Sequence, residues 1–334
     1  MIRATILMPR PKALPLICAL TLALIASSCA PKAKTPERYE THFFAMDTII
    51  TIAAYGENAE EAMASAKAEI LRIEALFDPE NPDGELYAVN HGYAQDMSAE
   101  MTAVYDLAQS VYNKSGGALD PSVYAVVKAW GFIGGDTRIP SDAELQAAME
   151  GMELTFGAVA KGYAAYAASG KMRELGIESA VLNLGGDIQA IGQKPDGSKW
   201  AVGVQDPNQP TGVSLGVLRL ADTAVVTSGD YERYFEEDGV RYHHIIDPHT
   251  GYPANNGLRS VTVVTARGDV ADALSTALFV LGEEGALEYL KEYGSGDIGL
   301  VLVTDDGRVI VTAALHDVFE EISGDYEYIY YEGA

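Results

Sequence analysis

Cysteine is nearly absent. Cys18 and Cys29 are the only two in 334 residues, and both fall within the first thirty. That excludes a disulfide scaffold and a zinc cluster built on thiolates. Basic residues are also scarce, with 23 Lys and Arg against 48 Asp and Glu and a net charge of −25. Binding to nucleic acid through its phosphates needs a basic patch, so a general role on DNA or RNA is excluded. A small anionic ligand is not, because a local site can overrule the whole-molecule field. No period of 20–50 residues repeats, which argues against a solenoid. No Ser/Gly linker divides the chain after residue 40. What is present is an ordinary globular composition, 48% apolar and 21% charged, in a length that suits one large domain or two smaller ones.

The N-terminus reads as a leader. Arg3, Arg10 and Lys12 precede the uncharged, mostly apolar run Ala13 to Ala26. That run falls short of the roughly 20 residues needed to span a bilayer and fits the core of a secretory signal. The ending Ala26-Ser27-Ser28-Cys29 resembles a bacterial lipobox, with Ala26 where Leu is usual. The expected division is a lipoprotein signal peptide over 1–28, a lipidated Cys29 with a Pro-bearing tether over 29–39, and one domain over 40–334. An ordinary signal cut near Ser28 is the alternative. Loss of the leader takes the charge from −25 to −28 and leaves Cys29 as the remaining thiol. The expected location is the extracytoplasmic face of a membrane, periplasmic or outer.

Along the body, Phe44 to Ala54 is β-branched and predicts a strand. Met63, Ala66, Ile70, Ile73 and Phe77 recur at helical spacing over Ala59 to Phe77. Met101 to Ser115 and the Ala-rich Ala158 to Leu175 also predict helices. Strands are expected over 180–192, 200–205, 217–220, 224–228 and 258–266. Helices follow over 270–281 and 284–293, then a hairpin around Asp305-Asp306-Gly307. The acidic aromatic segment 325–332 predicts a solvated strand or edge. Strands and helices mix without regular βαβ alternation, so the fold class is α+β.

Four constellations can carry chemistry. His243, His244, Asp247 and His249 fall in the run Arg241 to Gly251. Their spacing matches no standard zinc pattern. A loop presenting a general base is one reading, since the ordinary His pKa lies near 6.5. A structural Asp-Pro turn is the other. Asp272, Ser275 and Thr276 share one helix face and offer hard oxygen donors suited to Mg2+. Alternatively, Asp272 is a helix N-terminal charge and the hydroxyls bond back to carbonyls. Asn183-Leu-Gly-Gly-Asp-Ile188 follows an apolar strand and lacks the G-x-G-x-x-G spacing of a dinucleotide fingerprint. It is either a close backbone approach to a ligand or a plain turn. Thr227-Ser-Gly-Asp-Tyr231 at a strand end leaves the same choice.

In series, these runs resemble the ApbE family of FAD:protein FMN transferases. The resemblance is carried by Ala45-Met46-Asp47-Thr48, Gly117-Ala-Leu-Asp120, Trp130-Gly-Phe132 and Gly157-Ala-Val-Ala-Lys-Gly-Tyr163. It continues through Asn183 to Asp187, Thr227-Ser-Gly229, His244 to Pro248, Thr250-Gly251 and Ala271 to Thr276. It implies a single T-fold-like domain with mixed sheets and packed helices. It also implies an enzyme that takes FAD and Mg2+, links FMN by a phosphoester to a Thr or Ser hydroxyl of an exported redox protein, and releases AMP. By the same motifs, Met46, Ala118, Leu119, Asp120, Thr155, Lys161 and Ile246 would line the FAD site. Asp272, Thr276 and the carbonyl of Ala158 would ligate Mg2+, with Ser275 where some members carry a further carboxylate.

Thr155 stands where many members have Asp, Tyr166 replaces a frequent Asp, and Leu119 a common Phe. His244 is the expected base, with Asp247 its orienter or a turn-former. Two rivals keep the same motifs: a Mg2+-dependent FAD pyrophosphatase, with water as acceptor, and a non-catalytic FAD-binding lipoprotein.

Overall fold

A computed structural model of the protein describes residues 36–294 and 296–333. The expected leader, the lipidation residue Cys29 and most of the tether lie outside the described residues. Pro36–Ala334 forms one compact unit. Its first strand starts at Arg38, inside the segment assigned to the tether.

The β-branched run around residue 50 is not one strand. From Phe44 to Ala54 it passes from the end of β1 (Arg38–Ala45) across a turn into β2 (Thr48–Tyr55), two arms of a hairpin with Ala45 paired to Thr48. Met46 and Asp47 form the two-residue turn with φ of 51° and 58°. Positive φ at both central positions matches the strand twist, but it is usually left to Gly or Asn. No such residue marks the turn, so the apolar pattern runs straight across it.

Helices α1 (Ala59–Phe77), α2 (Glu85–Asn90), α3 (Ala99–Lys114), α4 (Tyr124–Ala129), α5 (Asp142–Glu150) and α6 (Ala160–Glu174) follow. Strands β3 (Ala180–Leu184) and β4 (Asp187–Ile191) form a hairpin closed by Gly185-Gly186. Next come β5 (Trp200–Gln205), β6 (Ser214–Leu220), β7 (Ala224–Gly229), β8 (Tyr234–Glu237), β9 (Val240–His243) and β10 (Leu258–Thr265). The long helix α7 (Gly268–Tyr293) kinks at Gly282, whose φ is 76°. The two helices read from the sequence are thus two halves of one bent element. Then follow β11 (Gly299–Thr304), β12 (Arg308–Thr312), β13 (Phe319–Glu321) and β14 (Glu327–Tyr331).

Nine strands make one sheet in the order β1-β2-β3-β4-β7-β10-β11-β12-β14. Its pairs are antiparallel except β12 with β14, which places the acidic aromatic segment at an edge. Burial on both faces explains the near-continuous apolar central strands. In β11, Leu300 and Leu302 join the core under α1, α6 and α7, while Val301 and Val303 join a second core. The small sheet β13-β6-β5 covers that second face with Leu215, Leu218 and Phe319. The architecture is α+β, as the sequence predicts. Among the described residues no helix is long and apolar enough to cross a membrane.

Candidate active site

Two helices set the charged centre. On α6, Gly162 has no room for a side chain: a methyl there would sit 2.1 Å from the Gly268 carbonyl oxygen and 2.6 Å from Asp272 Cβ. Glycine therefore lets α6 touch the backbone of α7. That contact brings the Gly162 N–H to donate to Asp272 Oδ2 at 2.8 Å. The neighbouring Lys161 Nζ lies 3.1 Å from Asp187 Oδ2 and 3.9 Å from Asp272 Oδ1.

Asp187 and Asp272 are 4% and 3% exposed. One ammonium between two buried carboxylates leaves a negative charge in a poorly solvated place. Burial pushes both carboxyls above their usual range, and Lys161 opposes that shift. Burial alone would lower Lys161, but Asp187, Asp272 and Glu232 outweigh it and hold the ammonium charged. Asp187 Oδ2 faces Lys161 without hydrogen-bond alignment and has no hydrogen-bond partner.

Two hairpin turns form the wall opposite. Gly185, at φ 68°, abuts Thr48, and a methyl on it would meet Thr48 Oγ1 at 2.3 Å. The Gly186 N–H donates to Asn183 Oδ1, closing the β3–β4 turn. The Met46 N–H donates to Glu74 of α1, which anchors the other turn. The space enclosed is a cleft of about 1250 Å3. Met46, Ala118, Leu119, Asp120, Thr155, Ala158, Lys161, His244, Ile246, Asp272 and Thr276 all line it, so most residues singled out in the sequence converge. Asp120 is fixed by Ser122, whose N–H and Oγ both donate to its Oδ1. Thr155 Oγ1 accepts from the Gly157 N–H at 3.1 Å and shapes the entry to α6.

His244 faces this cleft half-buried. Its backbone N–H donates to the Arg233 carbonyl at 3.0 Å, and its Nδ1 lies 3.3 Å from the same oxygen. A carbonyl beside Nδ1 selects the tautomer with the proton there, leaving Nε2 an open lone pair. Burial first, then Arg233 and Lys161, pulls its pKa down to about 3. The ring is therefore neutral, with its basicity lowered by the same surroundings.

Two expected site residues are placed elsewhere. Asp247 does not meet His244. Its Oδ1 accepts from the His249 N–H and lies 3.0 Å from His249 Nδ1, while its Oδ2 accepts from Thr250 Oγ1. It is the turn-former, because an Asp before Pro bonds the backbone two residues on. Ser275 is fully buried and does not line the cleft. Its hydroxyl donates to the Asp272 carbonyl and sits 2.9 Å from Ser228 Oγ, which reaches Thr276 Oγ1 at 3.3 Å. The helix-face argument holds for Asp272 and Thr276, but Ser275 is turned to β7.

The histidine run does not converge either. His243 Nε2 bonds the Ala254 carbonyl in the core, and His249 Nε2 lies 3.0 Å from the Gly116 carbonyl. Among the described residues no group of three or more His, Cys, Asp or Glu is placed to hold a metal. Trp130 Nε1 donates to the Gly251 carbonyl at 2.8 Å, so the Trp-Gly-Phe run holds the Asp-Pro turn.

Ser228, Tyr231, Glu232 and Arg233 also line the cleft; the residue reading reached Ser228 and Tyr231 and missed Glu232 and Arg233. The run Thr227 to Tyr231 pointed to the place. Nothing local in sequence told which side chains beyond Gly229 turn inward. Asp187 carried a signal: it is the charged residue directly after the paired glycines that follow the apolar run ending at Leu184.

Comparison with known proteins decides the kinship. The ApbE family model matches residues 46–298. The chain belongs to the ApbE family. A FAD:protein FMN transferase of Treponema pallidum is 32% identical, the match covering 87% of this chain and 91% of that protein. One from Vibrio cholerae is 33% identical over 74% and 83% of the two chains. The ApbE protein of Thermotoga maritima superposes with a TM-score of 0.75 at 30% identity, covering 82% of this chain and 96% of its own. The flavin transferase ApbE of Vibrio cholerae gives 0.76 at 25%, covering 85% and 99%. The ApbE fold therefore extends across most of this chain, the cleft included.

Proposed function

We propose that the protein is a flavin transferase that moves the FMN half of FAD onto a Thr or Ser hydroxyl of a partner protein. The names of its relatives support this reading. The observation that carries it is the meeting, in one cleft, of a neutral His244 with Lys161 and Asp272, behind which the buried Asp187 pairs with Lys161.

His244 Nε2 takes the proton of the acceptor hydroxyl. That oxygen attacks the phosphorus on the FMN side. A new P–O bond forms, the bridging P–O bond breaks, and AMP leaves with the electron pair. Met46, Ala118, Leu119 and Ile246 offer apolar surface for the flavin, and Asp120 a fixed acceptor at its edge. Lys161 holds the two buried carboxylates in place.

The donor set fits a hard divalent cation. Asp187 Oδ2 lacks a hydrogen bond, and the cluster is one positive charge short. Asp272, Thr276 and the Ala158 carbonyl would hold Mg2+. Bound there, it would draw negative charge from the phosphate oxygens and ease departure of AMP.

The lipobox-like Cys29 supports a membrane-tethered protein whose acceptors are exported redox subunits. The test incubates the protein with FAD, Mg2+ and a flavin-acceptor domain, and follows AMP and acceptor mass. An acceptor heavier by FMN less water, with AMP released, is the expected result. AMP and free FMN without labelling would make the protein a pyrophosphatase. Bound FAD with neither product would make it a carrier.

A further inference from the structure

We infer that Arg233 receives the diphosphate of the dinucleotide substrate, an assignment that rests on the flavin-transferase reading. The argument is one of charge supply. Seven carboxylates line the cleft, among them Glu74, Asp120, Glu232 and Asp272. Among the described residues, Lys161 and Arg233 are the Lys and Arg that line the cleft, while Lys128 pairs with Glu80 from outside it. A diphosphate diester carries one negative charge on each phosphate, and a cleft so acidic would repel it. Lys161 does not answer that need, because its ammonium already serves Asp187 and Asp272.

Arg233 is differently placed. Its Nη1 lies 3.8 Å from Asp47 Oδ2, and the Asp47 side chain is 80% exposed. An open pair at that spacing holds weakly and exchanges readily for a better partner. The guanidinium is a rigid fork of N–H donors whose geometry matches phosphate oxygens. Its position is set by the base: the Arg233 carbonyl accepts the His244 N–H and faces His244 Nδ1. The fork and the imidazole therefore spring from one junction. A phosphorus presented to an acceptor hydroxyl beside His244 has its outer oxygens within the territory of Arg233. Arg233 leaves Asp47 and takes the diphosphate.

The experiment measures binding of FAD and of riboflavin, which lacks phosphate, to the full chain and to Arg233→Gln and Arg233→Lys. Arg233→Gln is expected to weaken FAD by about 10–100-fold, the worth of a charged hydrogen-bonded contact. Riboflavin affinity should stay within about twofold, because nothing in it meets the fork. Arg233→Lys should fall between, keeping the charge and losing the fork. Added salt should weaken FAD binding more in the unmodified protein than in Arg233→Gln. FAD affinity unchanged in Arg233→Gln would overturn the assignment. So would a parallel loss for riboflavin, which marks damage to the loop and not a lost phosphate contact. A parent protein that neither binds FAD nor releases AMP would instead sink the transferase reading itself.

Discussion

At the scale of single residues, the proposed chemistry is divided between His244 and Asp272. His244→Ala should slow single-turnover transfer by about 10²–10⁴-fold while FAD still binds, the range expected for loss of a general base. An unchanged rate in rapid quench would remove that role. Asp272→Asn should abolish the rise in melting temperature caused by Mg2+, along with Mg2+-dependent AMP release. A variant that keeps both would exclude the metal assignment. Ser275→Ala is the contrasting case. Its hydroxyl bonds Ser228 and the Asp272 carbonyl and does not itself line the cleft, so Mg2+ response should persist at a cost of about 1 kcal/mol in stability. Urea melts with and without Mg2+ distinguish the two variants.

Residue type and spacing made much of this legible. Asp272 and Thr276 share a helix face by simple periodicity, and the structure brings both to the cleft. The same periodicity misled for Ser275, because the helix is packed on β7 as well and a buried face can turn to either neighbour. Asp247 was open between two roles, since an Asp near a His can orient the ring or close a turn. The pairing partners His249 and Thr250 resolve it, and such pairings are not written in sequence spacing.

At the scale of elements, the cleft wall depends on two turns with left-handed residues. Gly185→Ala combines a positive φ with a methyl pressed on Thr48. The expected cost is about 1–3 kcal/mol in urea unfolding, with weaker FAD binding as the β1–β2 turn is pushed aside. Equal stability and equal affinity would mean the turns yield without consequence. The Gly-Gly turn was visible in the sequence. The Met46-Asp47 turn was not, because Met rarely takes positive φ and no Gly or Asn accompanies the single Asp to mark it. Long periodic helices were read correctly, while α2, α4, β8, β9 and β13 were missed because three to six residues give too few repeats of either period; the nine-residue α5 behind the Ser141 cap was missed as well. Both halves of α7 were found, and the Gly282 kink explains their separation.

At the scale of the whole molecule, protonation couples the site to stability. His244 drops from an ordinary 6.5 to about 3 in the folded protein. Between those values the unfolded chain binds a proton that the folded chain refuses. The contribution of His244 is therefore complete above about pH 6.5 and is lost as pH falls toward about 3. Asp187 and Asp272 act in the opposite sense, since carboxyls raised by burial favour the folded state in acid. Comparing parent and His244→Gln isolates the first effect. The variant should lose less urea stability between pH 7 and pH 4.5 than the parent does. An identical loss would show that His244 is not held neutral by the fold. The net charge of −25 acts on the same scale. It keeps nucleic acid away and makes the supply of cations within the cleft decisive for an anionic substrate.

The contact of Gly162 with the α7 backbone has one more consequence. Side chains between helices can flex or change rotamer, but two peptide backbones in direct contact have nothing soft between them. Lys161 and Asp272 are neighbours of that contact on either side, so their spacing is fixed as rigidly as the helices themselves. The backbone positions behind Lys161 and Asp272 are thus set when the chain folds, and an arriving substrate has chiefly the Arg233 fork to draw into place. The reorganisation that a solvent would undergo during charge transfer has been completed in advance by folding.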